Sequence, residues 1–249
     1  MSRDKKFSIL TSSNSNNLLF YKSYINSINI QKYLPNELVF VNDGIKNRNF
    51  IHYLKLKINK KIKIKIINNY VNLGITQSLR RGINSCKNKL IMRLDIDDTW
   101  NKDHCEKLIV AYKKNKNYLI YSNVICTKYR YLNDFLILDN PTIHSSWLIN
   151  RNICKNFTYE PFYPEDYATI SKYYRKNFKF YFLKIKTMNY NVHQQSFSKK
   201  KIANRDMHII RKLNFEYFKK TNKNFIDIFM LFSLIDLLRF LKNKLLMRY

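Results

Sequence analysis

Three carboxylates stand within four positions at Asp95, Asp97 and Asp98, directly after the apolar run Lys89-Leu-Ile-Met-Arg-Leu94. Like charges this close repel, so a fold that converges them needs a counter-charge. A divalent cation is the usual one, because hard cations such as Mg2+ and Mn2+ take oxygen ligands. Held there, such an ion would neutralise a diphosphate leaving group. The competing use of the triplet is a solvated turn that caps the next helix; its place at the end of an apolar strand favours the metal. Asp43 lies in Val39-Phe-Val-Asn-Asp-Gly44, at the end of a second apolar run. A carboxylate there accepts hydrogen bonds from a nucleobase or ribose, or merely shapes an Asp-Gly turn. A further acidic pair, Glu165-Asp166, follows Pro164. Taken alone, it reads as carboxylates stabilising a helix N-terminus. His144 and His193, each taken alone, read as ordinary surface or core histidines. Arg80, Arg81 and Arg93 either contact phosphate or pair with the carboxylates.

The elements that must position these groups alternate between two periodicities. Phe7–Thr11, Glu37–Val41, Lys61–Ile67 and Lys89–Leu94 read as strands, the third half-exposed by its strict Lys/Ile alternation. Helices are expected between them: one reaching about Tyr33 with Leu18, Tyr21, Ile25 and Ile28 on one face, one over Phe50–Ile58, and one over Gly74–Ser85. A helix from about Lys102 to Lys116, a strand over Tyr118–Cys126, a helix over Asp166–Tyr174 and an edge-like strand over Phe178–Ile185 follow. This rhythm predicts an α/β fold with a Rossmann-like, mostly parallel sheet and helices on both faces. Ligands of such sheets bind beyond the carboxyl ends of the strands, where Asp43 and the Asp95–Asp98 cluster stand.

Composition narrows the classes. With 249 residues, 45% hydrophobic and 15% aromatic, the chain can bury a full core and is not a disordered tail. The net charge of +29 invites a nucleic-acid reading, but the lysines spread through strands, helices and loops alike, so no nucleic-acid partner is expected. Cys86, Cys105, Cys126 and Cys154 are irregularly spaced, without a C-x-x-C pair, and read as reduced thiols. The N-terminus lacks a signal-peptide apolar region, and the apolar stretch Phe225–Leu241 is interrupted by Asp227, Asp236 and Arg239, against a spanning helix. The expected location is cytoplasmic. Basic flanks around that stretch make segment 219–249 a candidate for an anionic membrane surface on the inner face of the cytoplasmic membrane. The alternatives are packing on the catalytic domain or against a second subunit in a homo-oligomer.

Three segments occur in order: Val39-Phe-Val-Asn-Asp-Gly44, Asn72-Leu-Gly-Ile-Thr-Gln-Ser-Leu-Arg-Arg-Gly-Ile83, and Lys89-Leu-Ile-Met-Arg-Leu-Asp-Ile-Asp-Asp98. Ile143-His-Ser-Ser-Trp-Leu-Ile-Asn-Arg151, Pro164-Glu-Asp-Tyr-Ala-Thr-Ile170 and Tyr190-Asn-Val-His-Gln-Gln-Ser-Phe-Ser198 complete the set. Together they resemble the inverting family 2 glycosyltransferases of the GT-A fold, of the kind that build bacterial lipopolysaccharide and capsule. The likeness covers about residues 7–198 and implies a catalytic domain over 1–198; beyond it the composition shifts to a basic, partly apolar helical extension over 199–249.

By this resemblance the chain moves a hexosyl or N-acetylhexosaminyl group from a nucleotide-sugar donor, usually UDP-linked, to a hydroxyl of a saccharide or lipid-linked saccharide. Asp43 would contact the nucleobase. Asp97, with Asp95 and Asp98, would hold Mn2+ or Mg2+ and the donor, Asp95 and Arg80 lying on the nucleotide side. Asp166 would be the base, with Glu165 beside it; His193 would approach the metal, and His144 the acceptor or donor sugar. The sequence departs from the family at Thr11-Ser-Ser-Asn14, where Pro-x-Tyr-Asn is usual, at Ile45, at Arg80 where Asn is common, and at Asn191 where Arg is common. A nucleotidyl- or phosphotransferase using the same carboxylate–metal logic is the alternative enzyme.

Overall fold

The computed structural model describes residues 6–14, 19–44, 48–116, 118–124, 140, 142–152, 159–191, 193, 196 and 205–221. The first four strands are β1 (Phe7–Ser13), β2 (Glu37–Asp43), β3 (Lys63–Asn69) and β4 (Leu90–Arg93). Between them run α1 (Leu19–Asn29), α2 (Arg48–Lys57) and α3 (Ile75–Ser85). There follow β5 (Thr99–Trp100), α4 (His104–Lys114), β6 (Tyr118–Val124), a single 3-10 turn (His144–Ser146), β7 (Trp147–Asn150), α5 (Glu165–Arg175), β8 (Lys179–Asn189) and α6 (Met207–Thr221).

All eight strands form one sheet in the order β3-β2-β1-β4-β7-β6-β8-β5. The β1–β2, β2–β3, β1–β4 and β6–β8 pairs are parallel; β7 is antiparallel to both β4 and β6, and β5 to β8. Among the described residues, the expected edge strand is therefore covered only at its far end, where Met188 and Asn189 pair with Trp100 and Thr99. Along the rest, exposed Lys179 and Tyr181 alternate with half-buried Phe180 and Phe182. Lysines protect the outer strand β3 in the same way, since a charged edge resists pairing with another chain.

Each central strand is buried on both faces, which places helices on both sides. Ile9, Phe40 and Met92 face a core shared with Tyr21, Tyr24, Ile25 and Ile28 of α1, Phe50 and Leu54 of α2, and Leu108 of α4. Their sequence neighbours Leu10, Val39, Val41 and Ile91 face the other core, shared with Leu79 and Ile83 of α3 and Tyr167, Ala168 and Ile170 of α5. Period-2 alternation in the strands and i, i+3, i+4, i+7 spacing in α1 produce this division. Leu18 lies outside the described residues, as do Cys126, Cys154 and the stretch Phe225–Leu241. Cys86 and Cys105 are free and buried.

The helix α3 lies close on β1 and β2. A Cβ on Gly82 would stand 2.3 Å from Leu10 Cδ1 and 2.9 Å from Val41 Cγ2, so a larger residue there would have to displace those side-chain ends or lift the helix. Beyond the central sheet, α6 packs on α5: Asn214 Nδ2 donates to Ser171 Oγ at 2.9 Å, and Arg175 Nη1 to Asn214 Oδ1 at 2.5 Å. Among the described residues, no helix is long and apolar enough to cross a membrane.

Candidate active site

The carboxyl end of β4 turns sharply, with Asp98 N donating to the Asp95 carbonyl at 3.2 Å. That turn brings one oxygen each of Asp95, Asp97 and Asp98 within 4.8 Å of one another. The three are not equivalent. Asp95 is already partnered: Arg93, only 1% exposed, donates to Oδ1, and His144 Nε2 lies 2.5 Å from Oδ2. Ser145 adds a longer bond from its Oγ to Oδ2 at 3.4 Å. Burial alone would push the Asp95 carboxyl up, but Arg93 and His144 outweigh it and hold it well below the usual carboxylate range. Of the two expectations for Arg93, the ion pair is the one found.

Asp97 meets His193 Nε2 at 3.0 Å, and the Phe20 ring lies against the His193 ring with centroids 4.7 Å apart. Asp98 accepts a bond from Asn191 N on Oδ1 at 3.1 Å, while its Oδ2 is buried without a partner among the described residues. Both carboxyls hold their protons more tightly than usual, first because they are buried and then because they face their acidic neighbours. Two crowded, cation-poor carboxylates, one with an orphaned buried oxygen, form an oxygen donor set suited to Mg2+ or Mn2+.

Glu165 and Asp166 open α5 after Pro164. Asp166 accepts from Asn140 Nδ2 on Oδ2 at 2.7 Å and from Tyr167 N on Oδ1 at 2.7 Å. Burial raises its affinity for a proton, opposed by nearby His144. Glu165 Oε1 lies 3.4 Å from His144 Nδ1 and is pushed up to about 7, by burial first and by repulsion from Asp166, with His144 working against the rise. His144 thus stands between Asp95 and Glu165. Burial disfavours its charge, yet Asp95 wins and raises it to about 9. Through His144, the 3-10 turn before β7 bridges the carboxylates at the end of β4 and the start of α5.

At the end of β2, Asp43 Oδ1 accepts from Asn69 Nδ2 and from Leu73 N, both at 2.8 Å. Asn69 also donates to Ser78 Oγ at 2.8 Å and accepts from Arg81 Nη1 at 2.5 Å. Arg80 Nε donates to the Tyr159 carbonyl at 2.6 Å. A cleft of about 450 Å³ opens between α3 and the 161–163 segment, lined by Leu73, Thr76, Gln77, Arg80, Arg81, Pro161 and Tyr163.

The expected residues therefore fall into three places. Asp95, Asp97, Asp98 and His193 gather at β4, with His144 joining them to Glu165 and Asp166. Asp43 stands at the end of β2, and Arg80 lines the cleft. The partners Asn69, Asn140 and Ser145 were not singled out from sequence. Only the β2–β3 register, which sets Asp43 opposite Asn69, marks the first of them.

Comparison with known proteins bears on the fold and the family. The model of Glycosyl transferase family 2 matches residues 16–182, more than half of the chain. An uncharacterized glycosyltransferase of Haemophilus influenzae is 35% identical over 92 residues, which are 36% of this chain and 28% of that protein. S. aureus TarS 1-349 in complex with UDP-GlcNAc shares the fold with a TM-score of 0.67 at 15% identity, over 85% of this chain and 66% of that one. The mannosyltransferase PcManGT from Pyrobaculum calidifontis, in complex with GDP-Man and Mn2+, does so with a TM-score of 0.66 at 12% identity, over 87% and 65%. This chain thus spans less than two thirds of each of these proteins. The likeness to the two solved structures establishes a GT-A fold. With the family's own model running from residue 16 into β8, the chain belongs to glycosyl transferase family 2.

Proposed function

We propose that the protein transfers a glycosyl group from a nucleotide-sugar to a hydroxyl, inverting the anomeric carbon, with Asp166 as the base. The observation that carries this reading is the joining of two acidic centres by His144: the β4 cluster on one side and the α5 pair on the other. A displacement at an anomeric carbon needs both, one to stabilise the departing diphosphate and one to take the acceptor's proton. Asp97 and Asp98 are the residues that would hold a divalent cation, with Asp95 kept in place by Arg93 and His144. When bound, the ion supplies positive charge to the diphosphate. The acceptor O–H proton passes to Asp166, the oxygen forms the new bond to the anomeric carbon, and the bond to the diphosphate breaks with its electrons leaving on the nucleotide. The raised proton affinity of buried Asp166 suits this role, because a base works best when its pKa approaches the working pH.

Asp43 supports a uridine donor. Its Oδ1 already holds two donors, so Oδ2 is the oxygen to accept one N–H. Uracil presents one such donor at its imide, whereas guanine presents two side by side. The related structures hold UDP-GlcNAc in one case and GDP-Man with Mn2+ in the other, so a nucleotide-sugar donor and a manganese-type ion are both in keeping with the fold. For the acceptor, the reading is a saccharide or lipid-linked saccharide of a bacterial surface polymer, reached at an anionic membrane through the basic segment 219–249. The whole-chain charge of +29 supports that last element.

Thermal denaturation with UDP and GDP, each with and without Mn2+, tests the core of the proposal. UDP with Mn2+ should raise the Tm, by an amount equivalent to about 2–3 kcal/mol at a hundredfold excess over Kd. GDP should do less, and Asp97→Ala should abolish the metal-dependent part. Equal stabilisation with and without metal would sink the assignment.

A further inference from the structure

The cleft between α3 and the 161–163 segment plays no part in the reaction described above, yet its chemistry is pronounced. Arg80 and Arg81 both line it, and neither forms an ion pair with a described residue. Each commits one group to a neutral oxygen, Arg80 Nε to the Tyr159 carbonyl and Arg81 Nη1 to Asn69 Oδ1. A guanidinium has five N–H donors, so several remain on each. Gln77 adds an amide. Thr76 is 6% exposed, and its hydroxyl has no hydrogen-bond partner among the described residues. Among the described residues that line the cleft, none is acidic. A buried hydroxyl left without a partner is costly, and two uncompensated guanidiniums beside it give the cavity a single sign of charge.

We propose that this cleft binds an anionic group, phosphate or carboxylate, carried by the acceptor saccharide. Its position supports that choice. One wall begins at Leu73, whose N–H holds Asp43; the other includes Tyr163, immediately before Pro164 and the turn bearing Asp166. The donor's diphosphate belongs at the β4 carboxylates, so the anion in the cleft is a second one. Arginine suits it, because the planar fork meets phosphate and carboxylate oxygens in pairs. The inference moves Arg80 from the nucleotide to the acceptor. Naming the ligand an acceptor rests on the glycosyltransferase reading; the anion binding itself does not.

The experiment is a calorimetric titration of inorganic phosphate into the full chain, without nucleotide and again with saturating UDP and Mg2+. Phosphate should bind in both states. Arg80→Gln should weaken it by about fivefold or more, whereas Lys61→Gln, an equal change of charge at an exposed lysine, should change it less than about twofold. Thr76→Val serves as a second variant, because it removes a hydroxyl that no described residue engages; it should also weaken phosphate, by about threefold or more. If UDP displaces the phosphate, the cleft belongs to the donor and the proposal is wrong. If Lys61→Gln weakens binding as much as Arg80→Gln, the cleft holds an adventitious ion only, and the proposal again fails. UDP affinity measured in the same samples reports separately on the donor reading, whose failure leaves the phosphate result standing.

Discussion

The carboxyl ends of β2 and β4 both carry acid, but they are completed differently. Asp43 has protein donors on Oδ1, from Asn69 and Leu73, and Asn69 is itself fixed by Ser78 and Arg81. The β4 end carries three carboxylates with one guanidinium and one imidazole committed to Asp95, which leaves Asp97 and Asp98 crowded and protonated more readily than ordinary acids. The first is a hydrogen-bonding surface completed by protein donors; the second is a crowded set of carboxylates, touched at Asp97 by His193, that a cation would balance. Recognition of a neutral base and capture of a charged group need different kinds of acid, and on the proposed reading the two strand ends would divide those tasks.

The largest effect should come from the residue that belongs to neither end. Asp166→Asn should lower kcat by about 10²–10⁴-fold, the usual worth of a general base, while UDP affinity stays within about twofold. A matching fall in UDP binding would mean that Asp166 serves the donor and that the division is misdrawn. Next is Asp98→Asn, which should lower kcat/KM by about 10²-fold or more through weaker metal binding, yet raise the Tm of metal-free protein at neutral pH. The sign follows from the direction of the shift. Asp98 takes its proton more readily folded than unfolded, so its cost is absent below the unfolded value of about 4 and grows as pH rises. In EDTA the advantage of the variant should therefore shrink as pH falls toward about 4. An advantage constant with pH would show that ionisation of Asp98 is not what costs the fold stability. The smallest change is at the β2 end: Asp43→Ala should weaken UDP about tenfold and cost about 1–3 kcal/mol of stability, because Leu73 N loses its acceptor. Urea denaturation with and without UDP measures both quantities.

Much of this was legible in the residues. Apolar runs ending in Asp43 and in Asp95–Asp98 place acid at strand ends, and the alternation of strand and helix is a local property that period and composition carry. Sheet order is not local. β7 is four residues long and too short for a period, yet it runs antiparallel between β4 and β6 and positions the turn bearing His144. β5 has two residues and left no signal at all. The same limit hid the partners: Asn69 and Asp43 are 26 residues apart, and Ser145 and Asp95 are 50 apart. His144 looked like an ordinary histidine because its meaning comes from two carboxylates that the chain delivers from opposite directions.

Gly82 has a consequence beyond packing. A methyl group at Gly82 would have to push aside the ends of Leu10 and Val41, so glycine lets α3 rest close on the sheet. One jaw of the cleft is thereby set at a fixed height over the sheet, and Thr76, Arg80 and Arg81 inherit that height through the helix backbone. Fit to a ligand of given size is then adjusted from the opposite jaw, around Pro161 and Tyr163, so changes of acceptor among relatives should be sought there before they are sought on the helix.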